Sequence, residues 1–237
     1  MTENRQTAFE LPARAGVPIA ATDLAFPVNR IFCVGRNYAA HAVEMGADPD
    51  REPPFFFSKP ADAIIVGAQC ALPYPPRTQD LHFEVELVVG LKSGGANIDV
   101  ANALDHIYGA AVGIDFTRRD IQADAKATRR PWDMGKGFDG SAVIGEMTTF
   151  DAASLPQAGP ITLTVNGEER QTGNLSDMIW SIAEVIAELS TYLTLHPGDL
   201  IFTGTPEGVG PVIAGDRMVA TAFGVSDLSV LITEPAT

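Results

Sequence analysis

The chain has 237 residues, with 16 Lys and Arg against 30 Asp and Glu, and a formal charge of −14. That balance argues against a nucleic-acid surface, which needs clustered Lys and Arg, and against binding to an anionic membrane. Apolar residues make up 46% of the sequence, ample for a packed core, so wholesale disorder is excluded.

Residues 1–27 are Pro- and Ala-containing and weakly patterned, and they lack the basic-then-apolar pattern of a secretory signal. They are expected to form an arm leading into a single domain over 28–237. Short runs rich in Val, Ile and Phe predict strands at 30–35, 54–58, 63–67, 83–91, 107–116 and 142–147, then at 161–165, 200–204, 218–223 and 228–232. Short helices are expected from Tyr38 to Met45 and over 100–106, the second capped by Asp99. Asn166-Gly167 predicts a type I′ hairpin turn. Apolar residues at helical spacing from Met178 to Leu193 predict the clearest helix, capped by Ser176 and ended before His196-Pro197-Gly198. The helices are too few for a regular βαβ series, so the expected class is a strand-dominated, mixed α+β domain. Cys33 and Cys70 both sit in apolar runs and read as buried free thiols, which points to a reducing, cytoplasmic compartment. No apolar stretch reaches the roughly 18 residues of a membrane span.

The sharpest chemical feature is HFEVELVVG at 82–90. Side chains two apart on a strand share a face, so Glu84 and Glu86 lie side by side, and in so apolar a run they need a compensating charge. Water on a solvent-facing strand would serve, and so would Lys, Arg or a divalent cation. Hard oxygen ligands favour Mg²⁺, Mn²⁺ or Ca²⁺ over zinc. Asp115 closes another apolar run, IYGAAVGID; it reads either as a cap for the FTRRDIQ segment or as a third carboxylate, making an incomplete cage open to water and substrate. His41 and Glu44 form H-x-x-E, which on a helix is either an exposed ion pair or a base with its orienting carboxylate. His82 either stands behind the acid pair and supports it or is a strand-edge residue. Lys136, between glycines in MGKGFDG, is a surface-loop lysine or a ligand-facing charge. TGTPEGVG offers the Thr203 and Thr205 hydroxyls to a carboxylate, or is merely a turn. The Arg118-Arg119 pair reads most simply as a solvated helix face.

Taken together, IFCVGRNYAAHAVEMG, PPFFFSKPADAII, LHFEVELVVG, GIDFTRRDIQ, PWDMGKGFDGSAVIG, VNGEERQTGNLSDMIWSI and GDLIFTGTPEGVGPV resemble the fumarylacetoacetate hydrolase family, in its short acylpyruvate hydrolase branch. The matching stretches run in the family's order from about residue 30 to 232, and only the arm lies outside them. The resemblance implies a mixed β-roll with a few short helices, commonly a homodimer. It implies a metal site of Glu84, Glu86 and Asp115 holding Mg²⁺ or Mn²⁺, with Ca²⁺ as a substitute in crystals. His41 and Glu44 would activate water on a mobile lid. Lys136 and Gln122 would contact substrate oxygens and Thr205 a substrate carboxylate, while Arg36 and Tyr38 begin the lid and help hold the substrate. The expected partner is a small anionic 2,4-dioxo acid, with fumarylpyruvate of gentisate-type degradation giving fumarate and pyruvate. The rivals are oxaloacetate decarboxylation, isomerisation of hydroxyhepta-diene-dioates, and a non-catalytic ligand-binding module.

Overall fold

The computed structural model describes residues 9–10, 13–44 and 53–236, with the backbone alone for 42–44. Strands dominate. The largest sheet runs in the order Phe55–Lys59, Arg30–Gly35, Asp199–Phe202, Val85–Leu91, Ile107–Asp115, Ala142–Ile144 and Ile64–Val66. Most neighbours are antiparallel, but Arg30–Gly35 pairs in parallel with Asp199–Phe202, and Ala142–Ile144 with Ile64–Val66. A second sheet orders Glu168–Asn174, Pro160–Val165, Arg217–Ala222, Leu228–Thr233 and Gln69–Pro73. A third, small sheet joins Thr117–Arg118, Leu81–Phe83 and Gly210–Val212.

The Val85–Leu91 strand explains why this arrangement is stable. All its residues are buried, so the sheet is covered on both faces. Val85, Leu87, Val89 and Leu91 point into the larger core with Leu163, Ile186 and Met218. Val88 points to a smaller core with Ile31, Cys33, Ala111 and Phe202. The arm contributes here: Gly16–Pro18 and Ala25–Pro27 pair as a hairpin, and Val17 and Phe26 complete the smaller core.

Several expectations shift. The long helix is Ile182–Tyr192, and its cap is Ser181, not Ser176; Ser181 and Glu184 form a capping box. Residues 175–177 are a short 3₁₀ turn, with the Asn174 side chain accepting from Ser176 N–H. The 83–91 run divides at Glu84 into Leu81–Phe83 and Val85–Leu91. The helix expected over 100–106 is α-helical over Val100–Ala103 and 3₁₀ over Leu104–His106, with no side-chain cap bond from Asp99. The early helix is Ala39–Glu44; Met45 lies outside the described residues. Cys33 is buried, but Cys70 is only half-buried. Asn166 and Gly167 have φ of 52° and 84°, as a type I′ turn requires. No described helix is long and apolar enough to cross a membrane.

At the other end of the Arg30–Gly35 and Asp199–Phe202 pair, buried Asp199 accepts from Asn29 Nδ2 at 2.9 Å, Arg30 Nε at 3.0 Å and His196 N–H at 2.8 Å. Asp199→Ala leaves these donors without their acceptor. It is expected to cost about 2–3 kcal/mol, read as a lower urea midpoint with unchanged slope.

Candidate active site

One end of the large sheet gathers the polar residues. Glu86 pairs with Gly113 and Val85 with Ile114, so Glu84, Glu86 and Asp115 project from adjacent strands onto one face. Their carboxylate oxygens lie within 4.8 Å of one another, and all three residues are buried. The same face of Asp199–Phe202 runs on to Gly204, whose N–H donates to Glu86 Oε2 at 2.6 Å. Gly204 has φ of +105°, and a Cβ there would lie 2.6 Å from that of Asn37, so only glycine fits.

Cations compensate the triad unevenly. Lys136 Nζ donates to Glu84 Oε2 at 2.8 Å and Asp115 Oδ2 at 2.7 Å. Arg119 donates to Glu84 Oε1 and, at 2.7 Å, to Gln122 Oε1. Lys59, fully buried, reaches Asp115 Oδ1 at 2.7 Å and donates to the backbone oxygens of Phe116 and Lys136. Burial alone would raise the Glu84 pKa, but Lys136 and Arg119 hold it well below the usual carboxylate range. Burial works against the Lys136 ammonium as well, yet Asp115 and Glu84 hold its pKa above the ordinary lysine value. Glu86 differs. Among the described residues it has no Lys or Arg partner, and burial with the charges of Asp115 and Glu84 pushes its carboxyl well up.

That imbalance suits a hard divalent cation. The donor set is oxygen only, Glu86 has no Lys or Arg in direct contact among the described residues, and Asp115 Oδ1 is buried without an aligned hydrogen-bond donor although Lys59 lies close. The three residues fit Mg²⁺ or Mn²⁺.

Glu84 and Glu86 open onto a narrow cleft. His41, Arg36, Gln122, Lys136 and Thr205 line the same cleft. Thr205 Oγ1 accepts from Gln171 Nε2 at 2.8 Å, which leaves its own proton for a ligand. Tyr38 does not line the cleft. It is buried and bridged to Met178, and among the described residues its hydroxyl has no hydrogen-bond partner; burial and then Glu86 push its pKa up. The Glu44 side chain lies outside the described residues.

Asn37 fixes the start of the helix that carries His41. Its Nδ2 donates to Trp180 O and Thr203 O at 2.9 and 2.8 Å, and its Oδ1 accepts from Trp180 N–H at 2.7 Å. Asn37→Ala is expected to lose about 2–3 kcal/mol of stability and to lower turnover more than Mn²⁺ affinity, measured by urea unfolding, steady-state kinetics and calorimetry.

Arg119 overturns the solvated-face reading of the Arg pair: it bonds Glu84 and lines the cleft. Arg118 stacks 4.3 Å over the Phe138 ring. Thr117 pairs with His82, which carries the following helix, Arg119–Ala127, back over Glu84. His82 stands behind the site, facing Arg119 Nε at 3.4 Å through Nδ1 and Asp80 at 2.9 Å through Nε2, so Nε2 carries its proton. Lys136, 3% exposed, is no surface-loop lysine. Asp120 anchors the same helix. Burial would raise its pKa, but Thr78 Oγ1 and the N–H groups of Gln79 and Ile121 lower it overall. A lowered folded pKa adds stability above the unfolded value, lost as pH falls through the folded one. Asp120→Asn should therefore flatten the loss of stability below about pH 4, followed by thermal unfolding against pH.

The model of the fumarylacetoacetate (FAA) hydrolase C-terminal family matches residues 30–233. The chain belongs to this family, and its strand-dominated β-roll is the family's fold. It is 42% identical over 191 residues to the fumarylpyruvate hydrolase of a Ralstonia species, covering 79% of this chain and 98% of that protein. The crystal structure of fumarylpyruvate hydrolase from Pseudomonas aeruginosa, in complex with Mn²⁺ and pyruvate, superposes with a TM-score of 0.94 at 47% identity, over 97% of this chain and 100% of that one. An oxaloacetate tautomerase of Escherichia coli K12 is 38% identical over 204 residues, 86% of this chain and 92% of that protein.

Proposed function

We propose that this chain hydrolyses acylpyruvates, with fumarylpyruvate as the preferred substrate and fumarate and pyruvate as products. The enzyme is a carbon–carbon hydrolase, as its fumarylpyruvate hydrolase relatives indicate over most of the chain. The observation that carries the reading is one cleft lined by Glu84, Glu86, Lys136, Thr205 and His41, with Asp115 completing the carboxylate triad behind it.

Glu84, Glu86 and Asp115 would hold Mg²⁺ or Mn²⁺. When bound, the metal supplies a Lewis acid for the 2-oxo acid end and positive charge against a developing enolate. The chain's own residues do the rest. The Thr205 hydroxyl donates to the substrate carboxylate, and Gln122 and Arg119 border its oxygens. His41, oriented by Glu44, takes a proton from water, whose oxygen then attacks the distal (C4) carbonyl. The C3–C4 bond breaks, its electron pair passes to the pyruvate enolate, and His41 returns the proton to C3. Lys136 gives two N–H bonds to Glu84 and Asp115, and its remaining one would donate to the enolate oxygen. The helix Ala39–Glu44 closes over the substrate as the lid. We read 1–27 as an arm, 28–237 as the catalytic domain, and the assembly as a cytoplasmic homodimer.

Oxaloacetate chemistry is the second reading, favoured by the tautomerase relative. A panel of fumarylpyruvate, maleylpyruvate, acetylpyruvate, fumarylacetoacetate and oxaloacetate separates the two. Fumarylpyruvate is expected to give the highest kcat/KM; turnover of oxaloacetate alone would refute the hydrolase assignment.

A further inference from the structure

The cleft has a second charged region away from the triad. From Lys136 an aromatic wall leads outward. Lys136 Nζ lies 4.9 Å from the Phe57 ring, Phe57 lies 6.2 Å from Trp132, and Trp132 lies 5.5 Å from Phe55. Each outer ring carries a cation: Lys126 Nζ is 5.0 Å over Trp132, and Arg36 Cζ is 5.6 Å over Phe55. All of these residues line one cleft.

Among the described residues neither Arg36 nor Lys126 has a carboxylate partner. That is notable in a chain with 30 acids and 16 Lys and Arg, where acids outnumber cations nearly two to one. Nor are the two cations independent. Burial comes first, and the charges of Arg119 and then Arg36 add to it, in lowering the Lys126 pKa, and the Glu84 charge offsets this only in part. Like charges held together on a half-buried aromatic wall are stabilised by an anion between them. Arg36 also pays a backbone cost, with φ of +57°, where glycine or asparagine is easier. Such strain is retained at ligand-binding positions more often than elsewhere.

We propose that Arg36 and Lys126 form a distal anion subsite, which takes the terminal carboxylate of a dicarboxylic substrate whose 2-oxo acid end lies at the triad. The aromatic wall of Phe55, Phe57 and Trp132 holds the apolar carbons between the two ends. The inference rests on the acylpyruvate reading for which end of the substrate lies deep. It makes this enzyme selective for dicarboxylic acylpyruvates over those with a neutral acyl group.

The test separates binding from turnover. Mn²⁺-loaded protein is titrated calorimetrically with 2-oxoheptanedioate, which has the seven-carbon length of fumarylpyruvate but no 4-oxo group to cleave. It is also titrated with 2-oxoheptanoate, in which a methyl replaces the terminal carboxylate. One charge-assisted contact corresponds to roughly a ten- to hundredfold advantage for the dicarboxylate. Lys126→Met keeps the alkyl stem on Trp132, and Arg36→Asn suits the backbone; each is expected to cut that advantage below about threefold. The kcat/KM ratio for fumarylpyruvate over acetylpyruvate should fall in parallel, through KM, and Lys126→Arg should restore it. Equal binding of the two probes by the wild type, or an advantage that survives both substitutions, overturns the subsite even if both acylpyruvates are hydrolysed. A protein that keeps the binding difference but hydrolyses neither acylpyruvate overturns the hydrolase reading and leaves the subsite standing.

Discussion

Glu86→Ala is expected to abolish Mn²⁺-dependent turnover while leaving the metal-free protein at least as stable as the wild type. The two halves have one cause. Glu86 is a buried carboxylate with no Lys or Arg partner among the described residues, receiving the Gly204 N–H and facing the charges of Glu84 and Asp115. Without metal, removing it relieves repulsion and desolvation; replacing buried charge by apolar surface is often neutral or stabilising. With metal, it removes one of three carboxylates. Partners that merely orient ligands already contribute about 10–100-fold to metal affinity or activity, so loss of a ligand should exceed a hundredfold. Thermal unfolding with and without Mn²⁺ reads both effects. The wild type should gain stability with added metal in proportion to the logarithm of its concentration above Kd, and Glu86→Ala should gain none. An equal metal-induced shift in both proteins would mean that the triad is not the metal site.

His41→Ala should lower hydrolysis of fumarylpyruvate by about 10²–10⁴, the range of a positioned general base. His41 is 6% exposed, lines the cleft and lies close enough for its charge to act on Glu84. The loss should fall on kcat, because the triad, Lys136 and Thr205 still bind the 2-oxo acid. Decarboxylation of oxaloacetate needs no attacking water and should fall much less. Steady-state kinetics on both substrates gives the ratio. Equal loss on both would make His41 a binding group and not the base.

The triad was legible only in part: period-two geometry places Glu84 beside Glu86, but Asp115 at the end of an apolar run read as a cap or as a third carboxylate, and the family resemblance joined the three. Register brings the strands together: Glu86 lies opposite Gly113, two residues before Asp115. Arg119 was not legible. Its local sequence, TRRDIQ, is polar and amphipathic, and its role depends on the pairing of Thr117 with His82, residues far apart in the chain. A Glu84 that needed a cation was the one available signal. The long helix begins later than its periodicity suggests for a related reason. Met178 and Ile179 fit helical spacing, but their backbone is committed elsewhere: Met178 bridges Tyr38, and Ile179 N–H donates to Asn37 O at 2.8 Å. Lys59 carried no local signal either, since a strand-end lysine before proline is ordinarily solvated, and only the fold buries it against Asp115.

In the proposed reaction a metal held by the triad and a water activated by His41 cleave a carbon–carbon bond. Its most direct test is product analysis by NMR, with fumarylpyruvate given to metal-free and Mn²⁺-loaded protein. The loaded protein is expected to give fumarate and pyruvate in equal amounts, and the metal-free protein to leave the substrate unchanged. Equal turnover in both samples, or substrate loss without fumarate, would contradict this reaction.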